Sequence, residues 1–193
     1  MSNNQKSWQE LFKRAIKLHD QGIEGNDQAV KKAHQLLKEV RALAPENNLI
    51  EAYYGSTVAL LGRDENLDPI ERIEYAEEGL SLLDQVVDKS PNDEDIRTLR
   101  GYVCLKIPDD IFGRTETAVK DFNYLINAYE SNKTSITKKL YDKLLFDLGN
   151  AYQTMGKTKK ANKTWVKLLN TTSEKKRYEK LLEQEGVQLD ELK

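Results

Sequence analysis

The chain has 193 residues, of which 38% are hydrophobic and 32% charged, and its formal net charge is −2. No run approaches the roughly 20 apolar residues that span a membrane. The first six residues contain no apolar h-region of the kind found in secretion signals. The single cysteine excludes an internal disulfide and a multi-cysteine metal site. With only 4 prolines and 10 glycines, the sequence predicts one helical, cytoplasmic domain over residues 1–193.

The N-terminal part of the chain contains two amphipathic segments. Residues three and four positions apart share one face of a helix. The first set at this spacing is Trp8, Leu11, Phe12 and Ala15. The second set is Ala33, Leu37 and Val40, which Pro45 follows. We therefore predict a helical hairpin over about residues 5–45.

A second hairpin is predicted over about residues 47–91. Its two sets are Glu51, Tyr54, Gly55 and Val58, then Gly79, Leu83 and Val86. The start of its second helix is marked by local signals, because Asp68 is a preferred N-cap, Pro69 suits the first helical position and Glu71 completes a capping box. We expect this helix to begin there and to end at about Lys89.

A third hairpin, over about residues 93–130, departs from the pattern. Its two sets are Arg97, Arg100, Gly101 and Cys104, then Ala118, Phe122 and Leu125. The two arginines stand where apolar residues are expected, and Cys104 takes a core position that suits a small buried residue. The segment from Pro108 to Arg114 is predicted to be a loop.

The fourth hairpin, over about residues 134–172, is the most regular. Its two sets are Leu145, Leu148, Gly149 and Tyr152, then Ala161, Trp165 and Leu168. Gly156 in the sequence Met155-Gly156-Lys157 predicts a tight turn between the helices. A further helix over about 174–186, capped by Ser173, is expected to cover the last hairpin, and the tail from Gly186 onwards is expected to fray.

The fourth hairpin resembles the tetratricopeptide repeat (TPR) family. The family pattern W-x2-L-G-x2-Y…A-x3-F is matched with Leu145 for the first Trp and Trp165 for the Phe. The resemblance implies an all-α fold, a right-handed superhelical solenoid of about four TPR-like hairpins with a C-terminal capping helix. The resemblance is to irregular, lengthened bacterial repeats, because the first three hairpins are longer between their helices, by Gly22–Gln28, Arg63–Ala76 and Pro108–Thr115.

We expect the two helices of each hairpin to cross at equivalent positions in all four hairpins. On the first helices these positions are Phe12, Gly55, Gly101 and Gly149. On the second helices they are Ala33, Gly79, Ala118 and Ala161. Most of these residues are small, which allows two helices to approach closely.

The TPR resemblance implies a non-catalytic protein–protein interaction module: an adaptor, a scaffold or a chaperone-like protein. In that family the first helices line a concave groove that receives a peptide or partner. The groove positions of the second hairpin are Ala52, Ser56 and Ala59. Those of the third and fourth hairpins are Thr98, Tyr102, Lys106, Lys143, Phe146, Asn150 and Gln153. Lys143 and Asn150 resemble half of a clamp for a C-terminal carboxylate, which the other hairpins do not complete.

The arginines of the third hairpin allow two interpretations, because a semi-buried arginine must be paired. One is an anion site formed by Arg97, Arg100 and Arg114. The other is a structural network in which they pair with Asp84, Asp88, Asp109 or Asp110. Structural networks of this kind are the more common of the two.

The charge is unevenly distributed. Residues 46–95 contain 14 acidic and 3 basic side chains, whereas residues 133–180 contain 13 basic and 4 acidic ones. Solvated helix faces explain such runs most simply. A first alternative is binding of nucleic acid or an acidic partner by the basic region. A second is self-association, in which acidic and basic regions of two copies meet. Trp165 occupies a core position, so packing is expected of it rather than stacking on a base.

No catalytic constellation is found, and neither a cofactor nor a metal is expected. His19 and His34 lie 15 positions apart without a metal-binding spacing. There is no glycine-rich phosphate loop and no nucleophile elbow in the sequence. The sequence therefore predicts that the protein is not an enzyme.

Overall fold

A computed structural model describes residues 3–132 and 134–192 of the chain, with side chains for 8–132, 134–190 and 192. The described residues do not include Met1 and Ser2 at the start of the chain, or Lys133 in the basic region discussed above. Over these described residues the regular elements are ten α-helices and a closing 3-10 helix, Leu189–Leu192. The α-helices are α1 (Asn3–Ile23), α2 (Asp27–Leu43), α3 (Asn48–Leu61), α4 (Pro69–Lys89), α5 (Glu94–Lys106), α6 (Asp109–Phe112), α7 (Thr115–Glu130), α8 (Lys138–Thr154), α9 (Thr158–Thr171) and α10 (Lys175–Gln184).

The prediction of an all-α fold is confirmed over the residues described, and the predicted hairpins α1–α2, α3–α4 and α8–α9 each pack as antiparallel neighbours. No helix in this part of the chain is both long enough and apolar enough to cross a membrane. The chain forms two compact units, Met1–Val103 and Cys104–Lys193. Helix α5 spans this boundary and α7 lies in the second unit, so the pairing of these two helices and the single domain over 1–193 stay predictions.

In the first unit, the crossing of α3 and α4 depends on Gly79 of α4. A Cβ atom at Gly79 would lie 2.5 Å from the backbone nitrogen of Ala59 and 2.5 Å from the carbonyl oxygen of Gly55. Both atoms belong to the backbone of α3, so α4 contacts that helix with no room for a side chain. The core on either side of this crossing is apolar and includes Leu37, Val40, Ile50, Val58, Leu83 and Ile96.

In the second unit, Trp165 of α9 packs onto Gly149 of α8. A Cβ atom at position 149 would lie 2.0 Å from the indole Nε1 of Trp165, which is 2% exposed. The indole Nε1 donates a hydrogen bond to the carbonyl oxygen of Phe146, at 3.3 Å. The prediction that Trp165 is a packing residue is confirmed.

Three local features agree with the sequence predictions. The capping box of α4 is present, since the Asp68 carboxylate accepts from the backbone nitrogens of Ile70 and Glu71 while the Glu71 carboxylate accepts from that of Asp68. Gly156 has φ of +68°, as the predicted turn between α8 and α9 requires. Cys104 is fully buried, as its core position predicts.

Three local predictions are wrong. The segment from Pro108 to Arg114 is not a plain loop, because it contains the single turn of α6, closed by Gly113 at φ of +62°. Ser173 does not cap α10; instead the hydroxyl of Thr172 accepts from the backbone nitrogen of Glu174. The described part of the tail is not frayed, because Leu192 in the closing 3-10 helix packs against the cluster around Trp165.

Candidate functional site

One face of α8 carries four of the predicted partner-binding residues. Lys143, Phe146, Asn150 and Gln153 are spaced three or four positions apart and therefore follow one stripe of the helix. Lys143 and Gln153 are exposed, whereas Phe146 and Asn150 are half-buried. The opposite stripe, with Leu144, Leu148 and Ala151, is buried in the unit. The stripe of Phe146 is thus the surface that α8 leaves available.

The N-terminal half of this stripe forms a cleft with α10. The cleft has a volume of about 370 Å³. Its floor is apolar and consists of Leu140, Phe146, Tyr178 and Leu181. The rings of Phe146 and Tyr178 have their centroids 5.9 Å apart, which joins the two walls. Ligand pockets in proteins span about 300–1,000 Å³, so this cleft suits a side chain or a short segment rather than a large cofactor.

The rim of the cleft is mainly basic, with Lys139, Lys143 and Arg177. The ammonium group of Lys143 lies 2.6 Å from the carboxylate of Asp147, and the guanidinium of Arg177 lies 2.8 Å from that of Glu174. Among the described residues, Lys139 has no ion pair, and its side chain is exposed. The rim therefore keeps an excess of positive charge.

The structure brings together only part of the predicted site. Lys143 and Phe146 line the cleft, and Asn150 and Gln153 lie farther along the same stripe of α8. Tyr102 and Lys106 lie on α5, on either side of the boundary between the two units, so their share in a common binding face stays a prediction.

The sequence interpretation missed the second wall of the cleft. Arg177, Tyr178 and Leu181 of α10 line it, although α10 was expected only to cover the last hairpin. The sequence signal for this wall was the spacing of Tyr178, Leu181 and Leu182, which lie three or four positions apart and form an apolar stripe over one helical turn. Nothing in that spacing specifies which helix the stripe contacts.

The groove positions of the second hairpin are wrong. Ala52, Ser56 and Ala59 are all buried, so α3 presents no open groove at these positions. Ser56 is used inside the unit instead, where its hydroxyl lies 2.9 Å from Nε2 of His19. The two residues are 37 positions apart, and this hydrogen bond joins α1 to α3.

Ser56, His19 and Asp20 form a chain of polar contacts like that of a hydrolase triad. Nδ1 of His19 lies 3.4 Å from the Asp20 carboxylate. However, Ser56 is 3% and His19 1% exposed, and neither lines the cleft between α8 and α10. A nucleophile must reach its substrate, so this cluster serves as a hydrogen-bonded part of the core.

The buried imidazole gives the first unit a pH dependence. Burial lowers the pKa of His19 below its ordinary value of 6.5, against the opposing effect of Asp20. The unfolded chain then binds a proton that the folded chain does not. We therefore expect the free energy of unfolding of residues 1–103 to fall as the pH drops below about 6.5, by at most about 1.4 kcal/mol per pH unit for this group.

Urea unfolding between about pH 7.5 and about 5.5 measures this slope. His19→Gln should lose most of it. His34→Gln is the control, since burial also lowers the pKa of His34 but its side chain is only half-buried. An unchanged slope in His19→Gln would show that another group is responsible.

The arginines of α5 have partners within the first unit. Nη1 of Arg100 lies 3.1 Å from the carboxylate of Asp84, and Nε of Arg97 donates to the carbonyl oxygen of Pro91 at 2.6 Å. Asp84 is one of the acids named by the network interpretation. Arg114 lies in the second unit, where the Asp109 carboxylate accepts from the backbone nitrogen of Thr115 at the start of α7. The anion site formed by the three arginines stays a prediction.

Arg100→Met separates the two interpretations. If the arginine is structural, its loss removes the ion pair with Asp84, and the free energy of unfolding should fall by about 1–3 kcal/mol. The side chain of Asp84 is 36% exposed, and solvent keeps the loss within this range. Urea unfolding gives the value, with Lys89→Met at the exposed end of α4 as the control. Unchanged stability with loss of partner binding would favour the anion site.

The basic surface of α9 is partly engaged. Lys167 pairs with Glu130 of α7, and the ammonium of Lys160 lies 5.5 Å from the ring centroid of Tyr152. Because Trp165 is buried, no tryptophan of this helix is available to stack on a base. These contacts are those of a solvated helix face.

Comparison with solved structures identifies proteins of similar fold. No protein-family model matches the sequence, and no curated protein matches it. The chain is similar to the solved structure of a MamA mutant, with a TM-score of 0.52 and 16% identity, over 81% of this chain and 77% of that one. It is also similar to MamA of AMB-1, with a TM-score of 0.48 and 18% identity, over 81% of this chain and 70% of that one.

MamA is a TPR-like helical protein. The fold of this chain is of the TPR type. This agrees with the expectation taken from the fourth hairpin, and the burial of the positions predicted for the helix crossings agrees with it as well. Phe12, Gly55, Gly101 and Gly149 are all buried, and so are their counterparts on the second helices.

Proposed function

We propose that the protein is a non-catalytic protein-binding module, an adaptor, scaffold or chaperone-like protein of the cytoplasm, that receives a segment of a partner on the exposed stripe of α8. The observation that supports this function most directly is the cleft between α8 and α10, which contains Lys143 and Phe146. Apolar grooves beside helices recur as binding sites for peptide segments. The TPR-type fold supports the same class of function.

Affinity purification from the native cell tests this proposal. The tagged wild type is compared with Phe146→Ala and with Tyr102→Ala, the two aromatic positions of the predicted binding face. Ile111→Ala is the control, because Ile111 on α6 is 57% exposed and lies outside the cleft. Circular dichroism of each variant establishes that it is folded, which matters for Phe146 because its ring packs on Tyr178.

We expect the same proteins to be retained by the wild type and by Ile111→Ala, and at least one of them to be lost with Phe146→Ala. Loss with Tyr102→Ala as well would extend the binding face to α5. Recovery of the same proteins by every folded variant would contradict binding at the stripe of α8.

A further inference from the structure

We propose that the cleft between α8 and α10 binds an acidic linear peptide through one large apolar side chain with acidic residues on both sides of it. This inference rests on the proposed function and names the chemistry of the partner. It depends on three properties of the cleft: an apolar floor, a basic rim on both walls, and a size that suits one side chain.

The apolar floor provides the anchor. Leu140 and Phe146 come from α8, and Tyr178 and Leu181 come from α10. Leu140, Phe146 and Leu181 are half-buried, so part of their apolar surface remains in contact with water. Binding of one large apolar side chain would remove this surface from water, which is the usual source of affinity at the centre of a peptide site.

The rim determines the charge of the peptide. Lys139 and Lys143 lie on the wall formed by α8, and Arg177 lies on the wall formed by α10. Cations on opposite walls favour carboxylates on both sides of the anchor rather than on one side. Asp147, the one acid of the lining, pairs with Lys143, so the excess of positive charge on the α8 wall comes from Lys139. Arg177 pairs with Glu174, but both side chains of that pair are about half exposed, so the pair is weak and Arg177 can exchange its partner for a peptide carboxylate.

The same geometry disfavours a nucleic acid as the occupant. Binding of single strands without sequence preference uses exposed aromatic faces on which bases stack. Tyr178 is 3% exposed and Phe146 packs against its ring, so the aromatic groups of the cleft form its floor rather than a platform. A second copy of this chain is a different occupant, which the experiment below distinguishes.

The probe is a fluorescein-labelled peptide with one phenylalanine flanked on each side by aspartate and glutamate, and its binding to the full chain is followed by fluorescence anisotropy. Two control peptides replace the phenylalanine with alanine, or the acids with their amides. We expect each control to bind about tenfold more weakly or worse, which corresponds to about 1.4 kcal/mol.

Two lysine variants locate the site. Lys139→Glu reverses a charge of the rim, and Lys159→Glu makes the same change of net charge at an exposed position of α9 outside the cleft. We expect Lys139→Glu to weaken binding of the probe about tenfold and Lys159→Glu to leave it within about twofold. Leu181→Ala, at the floor, should weaken the phenylalanine peptide and leave the alanine peptide unchanged.

Several outcomes would overturn the proposal. Absence of binding to the wild type would do so, as would equal weakening by the two lysine variants, which would mean that the whole basic surface attracts the probe. So would a single-stranded oligonucleotide that binds more tightly than the probe and is weakened by Lys139→Glu. Light scattering that shows self-association lost in Lys139→Glu would assign the cleft to a second copy.

The proposed function and this inference fail separately. If a partner is captured through Phe146 while the acidic probe does not bind, the binding module stands and the acidic chemistry is wrong. If the probe binds in the cleft while every folded variant recovers the same cellular proteins, the cleft chemistry stands and the stripe of α8 is not the docking face for those proteins.

Discussion

Replacing Gly79 with alanine is expected to lower the free energy of unfolding of the first unit by at least about 2 kcal/mol. The added Cβ would lie 2.5 Å from two backbone atoms of α3, which no side-chain rotation can move. The helices would have to separate, and the apolar contacts around Leu83 would loosen with them. Alanine favours a helix over glycine by about 1 kcal/mol, so the cost of the clash must exceed that gain.

Gly55→Ala on the facing helix is the matched control. Its Cβ would meet the Leu82 side chain at 3.0 Å and the carbonyl oxygen of Gly79 at 3.2 Å, contacts that small shifts can relieve. The gain in helix propensity then roughly cancels the strain, and the stability should stay within about 1 kcal/mol of the wild type.

The chain offers a probe for this measurement, since Trp8 lies in the first unit and Trp165 in the second. Urea unfolding of the Gly79 and Gly55 variants, followed by the fluorescence of Trp8 in a Trp165→Phe background, reports the first unit. Equal stability of the two variants would show that α3 and α4 do not meet as closely as described.

Gly149→Ala should destabilise the second unit by about 3 kcal/mol. The new methyl group would overlap the indole of Trp165, with three ring atoms at 2.0, 2.4 and 2.5 Å. The ring is 2% exposed and has no free space to enter, and its displacement would also break its hydrogen bond to the Phe146 carbonyl. Urea unfolding followed by circular dichroism measures the loss.

A double-mutant cycle identifies the cause. Trp165→Phe alone should destabilise the unit because it leaves a cavity. Added to Gly149→Ala, it should restore part of the lost stability, because the smaller ring accommodates the methyl group. We expect a coupling energy of about 1–3 kcal/mol. Simple additivity would mean that the methyl group at position 149 disturbs something other than the indole.

The features that the sequence predicted correctly are those encoded by near neighbours. The start of α4 follows from Asp68, Pro69 and Glu71, whose hydrogen bonds close within one helical turn. The turn at Gly156 follows from the conformational freedom of a single glycine. The crossing positions followed from a spacing that repeats along the chain, and they are buried as expected.

The features that sequence missed depend on contacts between distant segments. The hydrogen bond between His19 and Ser56 joins residues 37 positions apart, and no local pattern marks either of them as a partner. The apolar stripe on α10 is visible in the sequence, but its packing beside Phe146 depends on how the turn between α9 and α10 orients α10. The candidate site was therefore half predicted: the α8 wall was found, and the α10 wall was not.

The complete burial of Cys104 has a practical consequence. A thiol with no contact with solvent reacts slowly with alkylating reagents while the protein stays folded. Any cysteine introduced on an exposed helix face can thus be labelled selectively without first replacing the natural one. Dyes attached in this way, one on α2 and one on α9, would report the distance between the two compact units and its change when a partner binds.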